Sequence, residues 1–168
     1  MTFVLGLTVP AFRHFAIASS SLALKAIALS LAVSSTRILT NTFTIPEDSL
    51  LATIIQKITG IAPSASDKSN EKKIARAGRI NQRIDRLNAC LSHDVNNTPL
   101  LLLAGLAYVV VCNPDKEESA RVFGTLVAGR FLHTVAYAFG LQPFRTIGHL
   151  AAFSAAVEMS IKVLVALV

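Results

Sequence analysis

Apolar residues occur in four long blocks along the chain, separated by polar stretches. The blocks span residues 11–39, 98–112, 119–139 and 144–168. A helix needs about 20 apolar residues to cross the hydrocarbon core of a bilayer, and the block at 98–112 is too short. We therefore expect its helix to extend back through the charged residues from 71, giving one helix over 71–112 that carries polar groups into the membrane or beyond it. The pattern predicts four transmembrane helices.

Polar segments of different length connect the predicted helices. Residues 40–70 form a long polar loop, and residues 113–118 form a short one that ends in an acidic helix start. Gly140 to Pro143 reads as a tight turn, with Pro143 placed in the first turn of the last helix, where its missing N–H costs nothing. We expect residues 1–168 to fold as a single membrane domain, an all-α bundle of four transmembrane helices.

Composition supports a membrane protein. Hydrophobic residues make up 52% of the chain and charged residues only 15%, whereas soluble domains have about 25% charged residues. The run from Phe15 to Val33 is longer than the core of a usual signal peptide and contains Lys25, so we interpret it as a retained helix. Without tryptophan or a basic patch interleaved with aromatic residues, the chain has no nucleic-acid signature. Cys90 and Cys112 lack ligand spacing for a metal and are predicted to be two buried thiols.

The basic residues predict the orientation of the bundle. Nine of the 16 Lys and Arg residues fall at the end of the first helix, in the long loop and in the charged start of the second helix: Arg37, Lys57, Lys68, Lys72, Lys73, Arg76, Arg79, Arg83 and Arg86. The positive-inside rule places this loop in the cytosol. The turn between the third and fourth helices then also faces the cytosol, and both termini face the opposite side.

The third helix carries an ionisable stripe. Arg130, His133 and Tyr137 are spaced by three and four residues, so they share one helix face. Ionisable residues inside a membrane are costly and mark functional sites by default. The alternative is a polar cluster that only holds the helices together.

The predicted topology brings further polar residues to the depth of this stripe. The expected set is Arg37, Arg86, His93, Arg130, His133, Tyr137, Arg145 and Thr146. Its net charge is positive, and arginine suits carboxylates and thiolates. The set therefore fits a small anionic thiol that meets a lipid-borne electrophile. Lys25, in the middle of the first helix, also needs a partner; Glu158 is the predicted one, with Lys162 one turn further on competing for it.

The third helix contains the most specific motif, Gly129-Arg-x-x-His-Thr-Val-Ala-Tyr137. With it, the chain resembles the MAPEG family of membrane proteins in eicosanoid and glutathione metabolism, in particular its branch of microsomal glutathione transferases and prostaglandin E synthases. The other matching positions are Lys25, Arg37, Phe43-x-x-Pro-Glu-Asp48, Ile84-Asp-Arg86 and Arg145-Thr146.

The resemblance implies a homotrimer of four-helix protomers that binds glutathione between subunits near the cytosolic surface. Arg37, His133 and Tyr137 would hold the glutathione peptide, together with Arg86, His93 and Arg130. Arg145 and Thr146 would stabilise the thiolate, and Asp48 would be an acid/base or orienting partner of Arg145. The resemblance points to the endoplasmic reticulum or another endomembrane. Because the first acidic residue is Glu47, a mitochondrial membrane stays open.

The second helix departs from the family pattern, which is an arginine-rich run ending in Arg-Asn-Asp-x-Glu. Ala89 and Ser92 stand where arginines are expected, His93 replaces the asparagine and Asn96 the glutamate; in the fourth helix, His149 replaces an aromatic residue. Two hypotheses follow. The chain is a glutathione-dependent membrane transferase, peroxidase or isomerase acting on lipophilic electrophiles. Alternatively, it is a catalytically silent relative that serves as a structural or assembly subunit of a larger membrane complex.

Overall fold

The computed structural model describes residues 9–40, 53–54, 57–58 and 70–168. Its long helices are α1 (Pro10–Thr40), α2 (Asn70–Cys112), α3 (Lys116–Phe139) and α4 (Gln142–Leu167). The prediction of an all-α fold with four long helices is confirmed. The expected loop over 40–70 lies almost entirely outside the described residues, and the single-domain assignment stays a prediction.

Local chemistry explains where α3 begins and ends. The Asp115 side chain accepts a hydrogen bond of 2.7 Å from the backbone N–H of Glu118, so α3 begins at Lys116, three residues before the predicted start. At the other end, Gly140 adopts the left-handed conformation with φ 72°, and the N–H of Leu141 bonds the Ala136 carbonyl at 2.8 Å. The chain then turns directly into α4, which has Pro143 in its first turn.

The described residues divide into two compact units. The first contains residues 9–27 and 90–168, and the second contains the described residues between 28 and 89. In the first unit, residues of all four helices share one apolar core: Ala11, Ala18, Leu22, Leu101, Tyr108, Val109, Val122, Phe123, Leu126, Ala152, Ala155, Ala156 and Met159. In the second unit, Leu29, Val33 and Ile84 are buried.

Helices α1 and α3 run parallel within the first unit. His14 of α1 contacts Ser119 near the start of α3, and Lys25 contacts Arg130 eleven residues further along both helices. Helix α4 runs antiparallel to α3, since it follows a tight turn and packs back along it. Cys90, on α2, is buried as predicted, whereas Cys112 is half-buried; both are free thiols.

Two glycines bring α3 and α4 into backbone contact. A Cβ atom on Gly129 would lie 2.7 Å from the carbonyl oxygen of Gly148, and one on Gly148 would lie 2.6 Å from the backbone nitrogen of His133. Contacts this short leave no room for a methyl group. The two glycines therefore set the distance at which His133 faces the start of α4.

The outer surface of the bundle is apolar. Among the described residues, four helical segments are long and apolar enough to cross a membrane: Pro10–Ile38, Gln82–Cys112, Lys116–Phe139 and Gln142–Leu167, with mean hydropathy between 1.3 and 1.8. Large apolar side chains such as Leu24, Leu103 and Leu164 are each more than 60% exposed. Such a surface suits a lipid environment, where helices satisfy their own backbone groups.

Candidate functional site

A buried ion cluster links α1, α2 and α3. Asp94 of α2 lies between two cations, with Oδ2 at 2.7 Å from Lys25 Nζ and Oδ1 at 2.5 Å from Arg130 Nη2. All three residues are buried, Asp94 and Arg130 almost completely. Glu158 was expected to pair with Lys25, and that prediction was wrong. Asp94 neutralises Lys25 because the two lie at the same height on neighbouring helices.

Glu158 belongs to a separate ion network toward the other end of α3. It accepts hydrogen bonds from Arg121, and its Oε1 lies 3.0 Å from Lys162 Nζ, one turn away. Lys162 also pairs with Glu118. The expected competition of Lys162 for Glu158 is confirmed. This network is partly exposed, so it stabilises the bundle less than the buried cluster does.

Hydroxyl groups complete the buried cluster. Lys25 Nζ donates to Thr134 Oγ1 at 3.0 Å and to the Arg130 carbonyl at 3.3 Å, and Arg130 Nη2 lies 3.4 Å from Thr98 Oγ1. Nε and Nη1 of Arg130 have no hydrogen-bond partner in the described part of the chain. The cluster thus holds two cations and one anion, with spare donors on the arginine.

Three histidines from three helices meet beside this cluster. The ring centroids of His93 and His133 are 4.8 Å apart, those of His93 and His149 5.0 Å, and those of His133 and His149 5.6 Å. The His149 ring also packs against Phe153 at 4.4 Å. No group of His, Cys, Asp and Glu side chains in the described residues could hold a metal ion. The three imidazole rings contact one another in tilted and edge-on arrangements.

A backbone carbonyl fixes the orientation of His133. Its Nδ1 lies 3.0 Å from the carbonyl oxygen of Arg145. Because a carbonyl only accepts hydrogen bonds, Nδ1 must carry the proton. In the neutral ring, Nε2 then holds the lone pair, and this atom is buried without a partner among the described residues. His133 is thus oriented to accept a proton or a hydrogen bond at Nε2.

Arg145 and Tyr137 form the outer edge of the same group. The Arg145 guanidinium lies 4.8 Å above the centre of the Tyr137 ring, which in turn is 5.6 Å from the His133 ring. Arg145 and Tyr137 are half-buried and Thr146 is exposed. Within the described residues Arg145 makes no ion pair, so its charge is available to an anion.

The structure brings together some of the predicted site residues. His93, Arg130, His133, Tyr137, Arg145 and Thr146 all belong to the first unit. Arg37 and Arg86 belong to the second unit, where both are half-buried. Asp48 lies outside the described residues. The roles predicted for these residues stay predictions.

Sequence reasoning did not assign Asp94 and His149 to the site. Asp94 stands at the aspartate of the family's Arg-Asn-Asp-x-Glu run, between the departures at His93 and Asn96, and no role was predicted for it; His149 was noted only as a replaced aromatic residue. One signal was present for Asp94: it is an acidic residue in the membrane-crossing part of a helix, which requires a cation nearby. For His149, its spacing of four residues from Arg145 indicated the same face of α4.

Comparison with known proteins identifies the family. The sequence model of the MAPEG family matches residues 15–165, which is most of the chain and includes every residue of the ion cluster and the histidine cluster. Among curated proteins, none matches the chain. Family membership and the four apolar helices make this an integral membrane protein of a type consistent with glutathione-related transferase function. The chain belongs to the MAPEG family.

Proposed function

We propose that this protein is a glutathione-dependent membrane transferase, peroxidase or isomerase that acts on lipophilic electrophiles. The observation that carries the proposal is the group formed by His93, His133, Tyr137 and Arg145, in which the guanidinium has no ion-pair partner among the described residues. The family to which the chain belongs generally uses glutathione. Which of these three reactions the protein catalyses depends on the electrophile that it takes.

The chemistry of the group fits the chemistry of glutathione. Glutathione carries carboxylates and a thiol that reacts as a thiolate, and all of these are anionic acceptors. Arg145 offers charge-assisted donors, and the half-buried ring of His93 offers a further polar contact beside it. Asp94, the carboxylate next to His93 in the chain, is buried and already held by Lys25 and Arg130. The accessible side of the group is therefore positive.

Three residues divide the work on the thiol. Arg145 stabilises the negative charge of the sulfur, and the exposed Thr146 hydroxyl next to it donates a hydrogen bond. His133 positions Arg145, because its Nδ1–H donates a hydrogen bond to the Arg145 backbone carbonyl. Glutathione supplies the nucleophilic sulfur, and the electrophile reaches it from the surrounding lipid.

The proposal includes features taken from the microsomal glutathione transferase and prostaglandin E synthase branch. The protein is a homotrimer with glutathione between neighbouring subunits, in the endoplasmic reticulum or another endomembrane. Arg37 and Arg86 contribute to the glutathione peptide site, and Asp48 orients Arg145 or exchanges protons with it. Ala89, Ser92 and Asn96 remove charge that this branch places on α2, so we expect weak glutathione affinity. Each lost charge-assisted bond costs roughly 1.5–3 kcal/mol.

Glutathione titration of the purified full chain tests the proposal. We expect saturable binding by calorimetry, and turnover with a generic aromatic electrophile that falls in Arg145→Ala and is partly retained in Arg145→Lys. Arg13→Ala is the matched control, because Arg13 is an exposed arginine near the start of α1. Absence of glutathione binding to the intact protein would refute the enzyme hypothesis. Equal losses of turnover in Arg145→Ala and Arg13→Ala would rule out a specific role of Arg145.

A catalytically silent subunit of a larger membrane complex is the second candidate. The ion cluster favours it, since Arg130, a member of the predicted stripe, is wholly buried and paired with Asp94, as expected of a residue that holds helices together. Stoichiometric co-purification with other membrane proteins in mild detergent, without glutathione binding, would support this candidate. A homotrimer alone in native mass spectrometry would count against it.

A further inference from the structure

A narrow apolar groove runs along the face between α1 and α3, away from the histidine cluster. Its volume is about 500 Å³, and small residues line it, among them Ala18 on α1 and Gly124 and Ala128 on α3. A Cβ atom added to Gly124 would meet nothing within 4 Å, so the groove is open at its middle. If the groove were empty in a bilayer, the side chains that line it would lose dispersion contacts.

The groove has the length of one leaflet. Its lining on α3 extends from Ala120 to Phe131, a rise of about 16 Å along the helix. The hydrocarbon core of a bilayer is about 30 Å thick, so one leaflet contributes about 15 Å. The Ala120 end lies within the first turns of α3, which we expect at the membrane surface. The Phe131 end lies beside Lys25, whose Nζ is 5.9 Å from the ring centre.

The groove is too narrow for a helix. A volume of about 500 Å³ over a length of about 16 Å gives a cross-section on the order of 30 Å², or a width of about 6 Å. A helix with its side chains is about 10–12 Å across. A length of about 16 Å and a width of about 6 Å give the opening of the groove an area on the order of 100 Å². Each partner in a stable protein interface buries about 800 Å². A single hydrocarbon chain matches these dimensions.

Charges at the surface end match a zwitterionic headgroup. His14 lines the groove there and bonds Ser119 at 2.8 Å. The same helix ends carry exposed cations, Arg13 and Lys116, and exposed acids, Asp115 and Glu117. Both signs are therefore available, for a phosphate and for an ammonium group.

We propose that the groove between α1 and α3 binds one acyl chain of a zwitterionic phospholipid, with the headgroup beside His14 and the chain end beside Phe131. The site is independent of the glutathione site and stands or falls separately from it. The acyl chain fills a space that no side chain of the described residues fills. It lies parallel to the helices rather than across them.

Depth-dependent photolabelling tests the proposal. The full chain is reconstituted into nanodiscs of phosphatidylcholine containing an analogue with a diazirine either at the end of its acyl chain or next to its headgroup. We expect the chain-end probe to label Ala128 and Phe131, and the headgroup-proximal probe to label His14 and Ala120. Gly124→Phe should abolish labelling of the groove by the chain-end probe. Labelling of Leu103, an exposed position on α2, should stay unchanged.

Two controls make the outcome decisive. Leu103→Phe adds the same ring at a lipid-facing position outside the groove and should leave groove labelling intact. Labelling in proportion to exposure on all four helices, with no depth order, would show that the groove holds no particular lipid. Efficient disulfide formation between two copies of a Gly124→Cys variant would show that a helix of a second chain covers the groove. Either result overturns the proposal, and the depth order in the unmodified protein needs no variant to fold.

Discussion

At the scale of single residues, Asp94 organises the middle of the bundle. Two cations from two other helices converge on its carboxylate, and all three groups are withdrawn from solvent. Removing one partner of a buried ion pair costs far more than the pair itself is worth, because the remaining charge stays buried and unpaired. Asp94 thus offsets the free-energy cost of burying Lys25 and Arg130.

Asp94→Asn should therefore destabilise the protein strongly. We expect a loss on the order of 3–5 kcal/mol, because the amide cannot neutralise the two cations. Thermal unfolding in detergent would register it as a lower Tm. Asp115→Asn is the matched control, since Asp115 is an exposed N-cap and asparagine caps a helix equally well. Equal Tm values for both variants would contradict the role of Asp94.

Sequence reasoning found the ionisable residues of this region but not their partners. Arg130, His133 and Tyr137 could be placed on one face because spacing along a helix is fixed. The pairing of Lys25 with Asp94 could not, because it depends on how far α1 is shifted along α2. Glu158 was a reasonable choice by charge alone, yet it is held by Arg121 and Lys162. Charge balance identifies that a partner exists, and helix register decides which one it is.

At the scale of elements, the crossing of α3 and α4 sets the site. Gly129 and Gly148 allow the two backbones to touch, and the His133–Arg145 contact follows directly beside that point. Small residues at such crossings are typical of membrane helices, where close packing replaces the hydrophobic effect. The geometry of the candidate site thus depends on having glycine, which has no side chain, at both positions.

Gly148→Ala should separate α3 from α4. A Cβ atom there would lie 2.6 Å from the His133 backbone nitrogen, so the helices must move apart, at about 1–3 kcal/mol for overpacking. Gly124→Ala is the control on α3, because its Cβ atom enters open space and alanine favours the helix. Tm should fall for Gly148→Ala and stay equal or rise for Gly124→Ala. Glutathione binding should weaken in Gly148→Ala only.

Most features of the elements could be predicted from the sequence. The four helices end within three residues of the predicted bounds, since apolar length, Pro143 and Gly140 specify them. The largest difference is at the start of α3, which begins at Lys116 rather than Ser119 because the Asp115 side chain caps the backbone N–H of Glu118. The histidine cluster could not be predicted, because it needs the packing of three helices at once.

At the scale of the whole molecule, the fold predicts a topology. Four helices long and apolar enough to cross a membrane predict four crossings, so we expect the connections at each end of α3 to face opposite sides. The concentration of basic residues in the loop before α2 and in the first half of α2 further predicts that the turn between α3 and α4 is cytosolic. Orientation thus depends on charges, while the number of crossings depends on apolar length.

Cysteine accessibility in oriented vesicles tests this topology. In a variant without Cys90 and Cys112, a cysteine at Gln142 should react with a membrane-impermeant maleimide from the cytosolic side only. A cysteine at Glu117 should react from the opposite side only; both positions are exposed. Labelling of the two positions from the same side would show that α3 does not cross the membrane. Reversed sides would keep the fold and refute the orientation.

The ion cluster also has a consequence for biogenesis. A lysine at the centre of a membrane helix opposes insertion by about 2.5–3.5 kcal/mol, and so does an arginine or an aspartate. Helix α1 emerges from the ribosome with Lys25, but its counter-charge arrives on α2 and the second cation on α3. Lys25 therefore has no counter-charge in the bilayer until α2 has been translated, which makes the insertion of α1 less favourable. We expect this chain to leave the translocon as a group of helices, with α1 retained beside the insertion machinery until residue 130 has been synthesised.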